Sequence, residues 1–312
     1  MIKVAVVVLH YKGIDLTREC LQSLAKMDKK GIELRVVVVN SGTSEPFNEK
    51  VKDLDVEFIN SMENLGYVGG NNVGIRKAME IGNEYIWVLN NDTIVDKNCL
   101  KILVEVAERT HWAGILGPKI YFAPGYEFHK DWYEEEDKGK VIWWAGGRFD
   151  WDNVQTIHVG VNEVDHGQFG IGGPLLKKDG YDYTDLVTGA AMFVRRRVFE
   201  EVGLFDENYF LYFEDADFCR RVDMSNLRWG LYFVPSAFLW HKNAGSSGSG
   251  SALHDYYLTR NRLLFGFRYA PNRTKLALFR ESLRMLISGR PWQKRGVLDF
   301  YLGRFGKGSF AI

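Results

Sequence analysis

The first hundred residues alternate two periodicities, and no other feature of the chain limits its fold as much. Short apolar, β-branched runs occupy 4–9, 34–39, 56–59 and 85–89. Between and after them, 16–24, 72–81 and 99–106 place apolar residues at helical spacing, the first with Asp15 as its expected cap. Continuous apolar strands alternating with helices predict a parallel sheet buried on both faces. Such a sheet binds ligands beyond the carboxyl ends of its strands. Chemistry is therefore expected just after each run: at His10 and Tyr11, at 40–43, across 60–72, and at 90–93.

The chain has 312 residues, enough for one large domain or two modest ones without a disulfide or metal staple. Cys20, Cys99 and Cys219 lack any C-x-x-C spacing and fall in helix-like apolar patterns. They read as buried core thiols of a reducing compartment. The first apolar run is too short for a signal-peptide core, and no run approaches the ~18 apolar residues of a membrane span. A cytoplasmic protein is expected, unless its surface holds it to a membrane. Forty basic residues balance forty acidic ones, which argues against a nucleic-acid partner. The balance is uneven along the chain, however. From Ala252 onward there are twelve Lys and Arg against three Asp and Glu, or +9, so the preceding 251 residues carry −9.

The alternation stops in the middle. The stretch 120–185 is rich in Gly, Trp and Tyr and reads as loops and short antiparallel strands. Its acidic cluster at 134–137 reads as a solvated loop, because consecutive carboxylates do not converge. A helical signal returns at 196–202, and 231–234 reads as a strand. The Gly/Ser-rich stretch 244–251 reads as a flexible loop, either a lid or a slack connection. Beyond it, Leu276, Phe279, Leu283, Leu286 and Ile287 recur at helical spacing among Lys275, Arg280 and Arg284. Such a basic amphipathic helix either binds an anionic membrane surface or packs its stripe on the rest of the chain. The expected division is an α/β domain over 1–243, the loop 244–251, and a basic helical segment over 252–312.

Four segments carry candidate chemistry. At 87–93, Trp-Val-Leu-Asn-Asn-Asp-Thr ends an apolar strand in one carboxylate, Asp92, flanked by Asn90, Asn91 and Thr93. This suits a divalent cation that takes most ligands from water and a diphosphate, and equally suits a helix cap. At 210–221, Glu214, Asp215 and Asp217 lie among aromatics, which raise a carboxyl pKa, while Arg220 and Arg221 would lower it. They fit a general base or the acidic first turn of a helix. His241 becomes a metal ligand only where it converges with Asp92. At 64–74, glycines between strand and helix would let backbone N–H groups approach phosphate or sugar. This is not the G-x-G-x-x-G fingerprint, and the first turn lacks one too, which argues against a nicotinamide oxidoreductase.

Read together, these segments resemble a known family. Six occur in order: 64–74, Leu-Asn-Asn-Asp-Thr at 89–93, Thr-Gly-Ala-Ala-Met at 188–192, Gly-Leu-Phe-Asp at 203–206, Phe-Glu-Asp-Ala-Asp at 213–217 and Tyr-Tyr-Leu-Thr-Arg-Asn at 256–261. Over nearly the whole chain it resembles the family 2 inverting glycosyltransferases, most of all their rhamnosyltransferase-type branch. The resemblance implies an α/β fold of the GT-A type, Rossmann-like with a mostly parallel central sheet, plus the helical C-terminal segment. It implies a nucleotide-diphosphate sugar donor, a glycan or lipid-linked acceptor, and Mg²⁺ or Mn²⁺ as cofactor. Asp92 matches the last acid of the family's D-x-D metal motif, and Asn90 replaces the first, leaving one fewer charge for the metal. His241 matches a histidine that completes the metal shell in some relatives, and Asp215 matches the catalytic base. The donor set implied is His10, Tyr11, Asn40, Asn64, Gly70, Asn71, Asn90 and Asn91. Glu214, Asp217, Arg260 and Asn261 are expected to contact the acceptor or support the site.

The chemistry agrees with those roles. Glycosyl transfer builds negative charge on the leaving diphosphate, which a cation stabilises. The acceptor hydroxyl needs a base on the opposite face of the sugar, worth ~10²–10⁴-fold. Two readings stand beside an L-rhamnose transferase: one using a UDP-sugar such as a hexose or galactofuranose, and a non-catalytic glycan- or nucleotide-binding relative. Asn90 motivates the second, and the intact Glu214, Asp215 and Asp217 weigh against it.

Overall fold

The computed structural model describes residues 1–43, 51, 53–170, 180–243 and 251–310. Most of the Gly/Ser stretch therefore lies outside the described residues. The four apolar runs form β1 (Ile2–His10), β2 (Ile32–Ser41), β3 (Glu57–Ser61) and β4 (Tyr85–Asn90). They pair in parallel in the order β3-β2-β1-β4. Val4, Ala5, Val6, Val7 and Val8 of β1 are wholly buried, as a strand covered on both faces requires. Register aligns the strand ends: His10 lies opposite Asn40, Asn40 opposite Asn60, and Leu9 opposite Asn90. One polar edge results.

The sheet continues past β4. After β5 (Thr93–Val95), the strands are β6 (Ala113–Phe122), β7 (Ile142–Trp144), β8 (Gly147–Asp150), β9 (Gln155–His158), β10 (Asp182–Tyr183), β11 (Ala191–Arg195) and β12 (Gly230–His241). From β4 the order is β11, β6, β12 and β10. β11 runs antiparallel between β4 and β6, while β12 is parallel to β6. The expected strand at 231–234 thus extends to His241, whose end pairs antiparallel with β5. β8 and β9 form a separate hairpin in the middle region.

The helices are α1 (Ile14–Ala25), α2 (Gly66–Glu80), α3 (Cys99–Arg109), α4 (Arg196–Val202), α5 (Glu214–Met224), α6 (Ala252–Tyr269), α7 (Asn272–Ser288) and α8 (Pro291–Tyr301). Cys20, Cys99 and Cys219 are free and buried, in α1, α3 and α5. The expected cap of α1 is corrected: Gly13 holds the N-cap position, and Asp15 sits within the first turn. There its charge still faces the positive end of the helix dipole. Among the described residues no helix is long and apolar enough to cross a membrane.

The larger correction concerns α2. It starts at Gly66, six residues before the periodicity predicts. Glycine costs a helix ~1 kcal/mol per residue, so local propensity hides this first turn and a half. Packing supplies the compensation. A Cβ on Gly70 would collide with Leu9, and one on Gly74 with Val7 while lying 3.1 Å from Val39 Cγ2. These glycines seat the helix backbone on β1 and β2, and do not open backbone to a phosphate. Gly74→Val should therefore destabilise the protein by about 1–3 kcal/mol, since overpacking outweighs the gain in helix propensity. Urea unfolding tests this; a variant as stable as the parent would show that α2 does not lie directly on the sheet.

Candidate active site

Two loops build the site. The first, before α5, turns sharply enough to put Phe210, Tyr212 and Phe213 at φ of 65°, 69° and 71°. Side-chain-bearing residues enter this region at a cost of ~1–3 kcal/mol each, unless the surroundings hold them there. α6 does the holding. Asn261 Nδ2 donates to the carbonyls of Tyr209, Leu211 and Tyr212 at 2.8, 2.7 and 2.9 Å. Arg260 donates to those of Asn208, Tyr209 and Gly306 at 3.1, 2.9 and 2.7 Å. Both side chains are fully buried. Of the two roles expected for them, contact with an acceptor is excluded by this burial and support remains.

The loop delivers three carboxyl groups into the first turn of α5, and their surroundings separate them. Asp217 is fully buried and saturated. It accepts from Tyr209 and Tyr269 hydroxyls at 3.2 and 2.8 Å and from Arg221 and Arg268 at 2.7 and 3.3 Å. Asp215 is half-buried and accepts backbone N–H bonds from Gly189 at 2.9 Å and Ala216 at 2.7 Å. Burial nonetheless raises its pKa. Glu214 is buried, and its Oε2 has no hydrogen-bond partner among the described residues. Burial, and then the neighbouring Asp215 charge, pushes its pKa well above the carboxylate range. Of the two arginines expected beside these carboxyl groups, Arg221 pairs with Asp217, while Arg220 pairs with Asp223 outside the set.

The second loop is the turn from β4 to β5. Asp92 sits in it, so the helix-cap reading of this residue is corrected to a strand-to-strand turn. The turn is braced from behind. Asn91 Nδ2 donates to Thr17 Oγ1 at 2.8 Å and to the Lys12 carbonyl at 3.2 Å, and His10 Nδ1 lies 2.8 Å from the same Thr17 hydroxyl. β12 ends alongside, bringing His241 Nε2 to 2.9 Å from Asp92 Oδ1, with both residues buried. Among the described residues, His241 Nδ1 has no hydrogen-bond partner. This is the convergence on which a metal role for His241 depends. Among the described residues no group of three or more His, Cys, Asp and Glu surrounds a cation position. A hard cation shared with a diphosphate and water needs only a partial protein shell, and one carboxylate with one imidazole fits that need.

The Thr-Gly-Ala turn at 188–190 joins the two loops. Ala190 O accepts from Asn90 N at 2.9 Å, and Gly189 N donates to Asp215. Tyr67 of α2 donates its hydroxyl to Gly189 O at 2.6 Å. Burial raises the Tyr67 pKa well above its usual value, with Glu214, Asp215 and Asp92 each adding to the rise. One half-buried phenol therefore senses all three carboxylates. Tyr67 is absent from the expected set. It lies within the 64–74 motif, but an aromatic in a helical pattern reads first as core.

The expected donor residues divide in two. Tyr11, Asn64 and Asn90 are half-buried, and Asn40 bonds Asn60 along the strand-end edge at 3.2 Å. Asn64 Oδ1 accepts from Gly66 N at 2.9 Å, which shapes the entry to α2. The remaining four are engaged within the protein. His10 and Asn91 brace the Asp92 turn, Gly70 faces β1, and buried Asn71 donates to Tyr67 O at 2.9 Å.

This framework occurs in solved structures. A mannosyltransferase from Pyrobaculum calidifontis, in complex with GDP-Man and Mn²⁺, matches 98% of this chain and 76% of its own, with a TM-score of 0.54 and 15% identity. GalNAc-T7, with UDP, GalNAc and Mn²⁺, matches 96% of this chain and 57% of its own, with a TM-score of 0.59 and 15% identity. Likeness at that identity establishes the fold, an α/β fold of the GT-A glycosyltransferase type. In sequence, the glycosyl transferase family 2 model matches residues 5–203, and the chain belongs to that family. It is 26% identical over 262 residues to a low-salt glycan biosynthesis hexosyltransferase of Haloferax volcanii, spanning 83% of this chain and 74% of the relative. A shorter match, 41% over 68 residues and 22% of each chain, is to an N-acetylglucosaminyl-diphospho-decaprenol L-rhamnosyltransferase of Mycobacterium tuberculosis. The protein is a glycosyltransferase enzyme.

Two measurements probe the acidic loop. Asn261→Ala removes the donor to three backbone carbonyls and should cost about 2–3 kcal/mol in urea unfolding, with amide exchange rising first around 209–213. Unchanged exchange there would mean that the loop holds itself. Glu214 has a folded pKa above its unfolded one, so its stabilising contribution is full below the ordinary carboxylate range. That contribution is lost as pH rises through the folded value. Glu214→Gln should therefore lose the decline in stability that the parent shows as pH rises above the ordinary carboxylate range. A parallel decline in both proteins would place the titration on another group.

Proposed function

We propose that the protein transfers a sugar from a nucleotide-diphosphate donor to a hydroxyl of a glycan or lipid-linked acceptor, with inversion at the anomeric carbon. The observation that carries this reading is the junction at 188–190, which ties the Asp92–His241 turn to Asp215 around the Tyr67 phenol. Asp215 acts as the general base. Its raised pKa makes it a better proton acceptor. The acceptor oxygen attacks the anomeric carbon, its proton passes to Asp215, and the bond to the diphosphate breaks on the opposite face. Asp92 and His241 would hold a Mg²⁺ or Mn²⁺ ion, whose chemistry is to neutralise charge on the leaving diphosphate. Tyr67 and the Gly189 N–H fix the base in position.

L-rhamnose is the preferred donor sugar in this reading, supported by the 68-residue match to an L-rhamnosyltransferase. The three buried free thiols support a reducing, cytoplasmic location. The test is a donor screen by nucleotide release, with and without Mg²⁺ or Mn²⁺, on the parent and on Asp215→Asn. The parent should turn over a dTDP-rhamnose donor in a cation-dependent way. Asp215→Asn should lose ~10²–10⁴-fold in transfer while still binding donor. Near-parental turnover in that variant would remove Asp215 from the base role, and a UDP-sugar preference would remove the rhamnose assignment.

A further inference from the structure

The outward face of α7 is apolar, and the fold leaves it uncovered. Thr274, Leu278 and Ser282 point inward and are buried. Leu276, Phe279, Leu283 and Ile287 point outward, Ile287 with 81% of its surface exposed. Packing on the rest of the chain therefore accounts for Leu278 and in part for Leu286, but not for the stripe itself. The face continues onto the end of α8, where Leu298, Tyr301 and Leu302 are also exposed. The two helices are tied there by Ser282 Oγ and Tyr301 Oη at 2.7 Å. Contiguous exposed apolar surface of this kind marks an interaction site.

Charge identifies the occupant. Arg273, Arg280 and Arg284 are exposed on α7, with Lys275 half-buried. The acidic member of that helix, Glu281, is neutralised by two bonds from Arg262, at 2.8 and 3.0 Å. The segment as a whole carries +9. Two copies of such a face would repel, whereas a surface of lipid phosphates would attract it. We propose that the α7–α8 face docks on an anionic bilayer. Its leucines, Phe279 and Ile287 enter the boundary between headgroups and acyl chains, and its arginines pair with lipid phosphates. The inference goes beyond the transfer reaction and does not depend on Asp215 or Asp92.

The experiment is co-sedimentation of the full chain with vesicles of phosphatidylglycerol and phosphatidylcholine in equal parts, against phosphatidylcholine alone. Binding should be at least about tenfold tighter to the anionic vesicles and should weaken as salt is raised. Ile287→Ser with Leu283→Ser, and separately Arg280→Glu with Arg284→Glu, should each reduce binding by about tenfold or more, with unchanged thermal unfolding because these side chains are exposed. Equal binding to both vesicle types, or full binding by both double variants, would overturn the proposal. So would a concentration-dependent dimer abolished by the Ile287 and Leu283 changes, which would assign the face to a second copy.

Discussion

Asn261 and Arg260 hold the loop on which the acidic centre depends. Seven hydrogen bonds run from these two buried side chains to backbone carbonyls, five of them to the loop 208–212. They restrain three left-handed, side-chain-bearing residues that would relax if left alone. The conformation sets where α5 begins, and so where Glu214 and Asp215 point. Asp217 makes the dependence mutual. Its buried charge is satisfied partly by Arg268 and Tyr269 of α6, and an uncompensated buried charge is strongly destabilising. α6 is thus part of the acidic centre itself.

The helical C-terminal segment has two faces with different work. Its inner side, α6 with parts of α7 and α8, completes the loop and the core. Its outer side carries uncovered apolar and basic residues. The net charge of zero is a sum over two unlike parts: −9 on the preceding 251 residues and +9 on this segment. The arrangement would let one segment both shape the acidic loop and orient the enzyme at a surface.

Much of this was readable along the chain. The runs at 4–9, 34–39, 56–59 and 85–89 are strands because β-branched apolar residues in short blocks suit a sheet covered on both faces. The edge residues after them followed from parallel topology. Asp92 and His241, 149 positions apart, could be paired along the chain only on the condition that they converge, and the structure brings them within hydrogen-bonding distance. The start of α2 was hidden because glycine lowers helix propensity where close packing needs it. Tyr67 was hidden because a site phenol and a core aromatic have the same local signature.

The sequence by itself determined the element types, the polar strand-end edge, the buried thiols and the charge asymmetry. Each depends on periodicity or counting within a short window. Tertiary structure alone decided which carboxyl is saturated, which is buried with an unpartnered oxygen and which is open: Asp217, Glu214 and Asp215 span four residues yet differ in every partner among the described residues. It also decided that Leu278 faces in while Leu283 and Ile287 face out. The physical reason is that protonation, hydrogen bonding and exposure are set by neighbours distant in sequence, and one-dimensional spacing does not encode which neighbours those are.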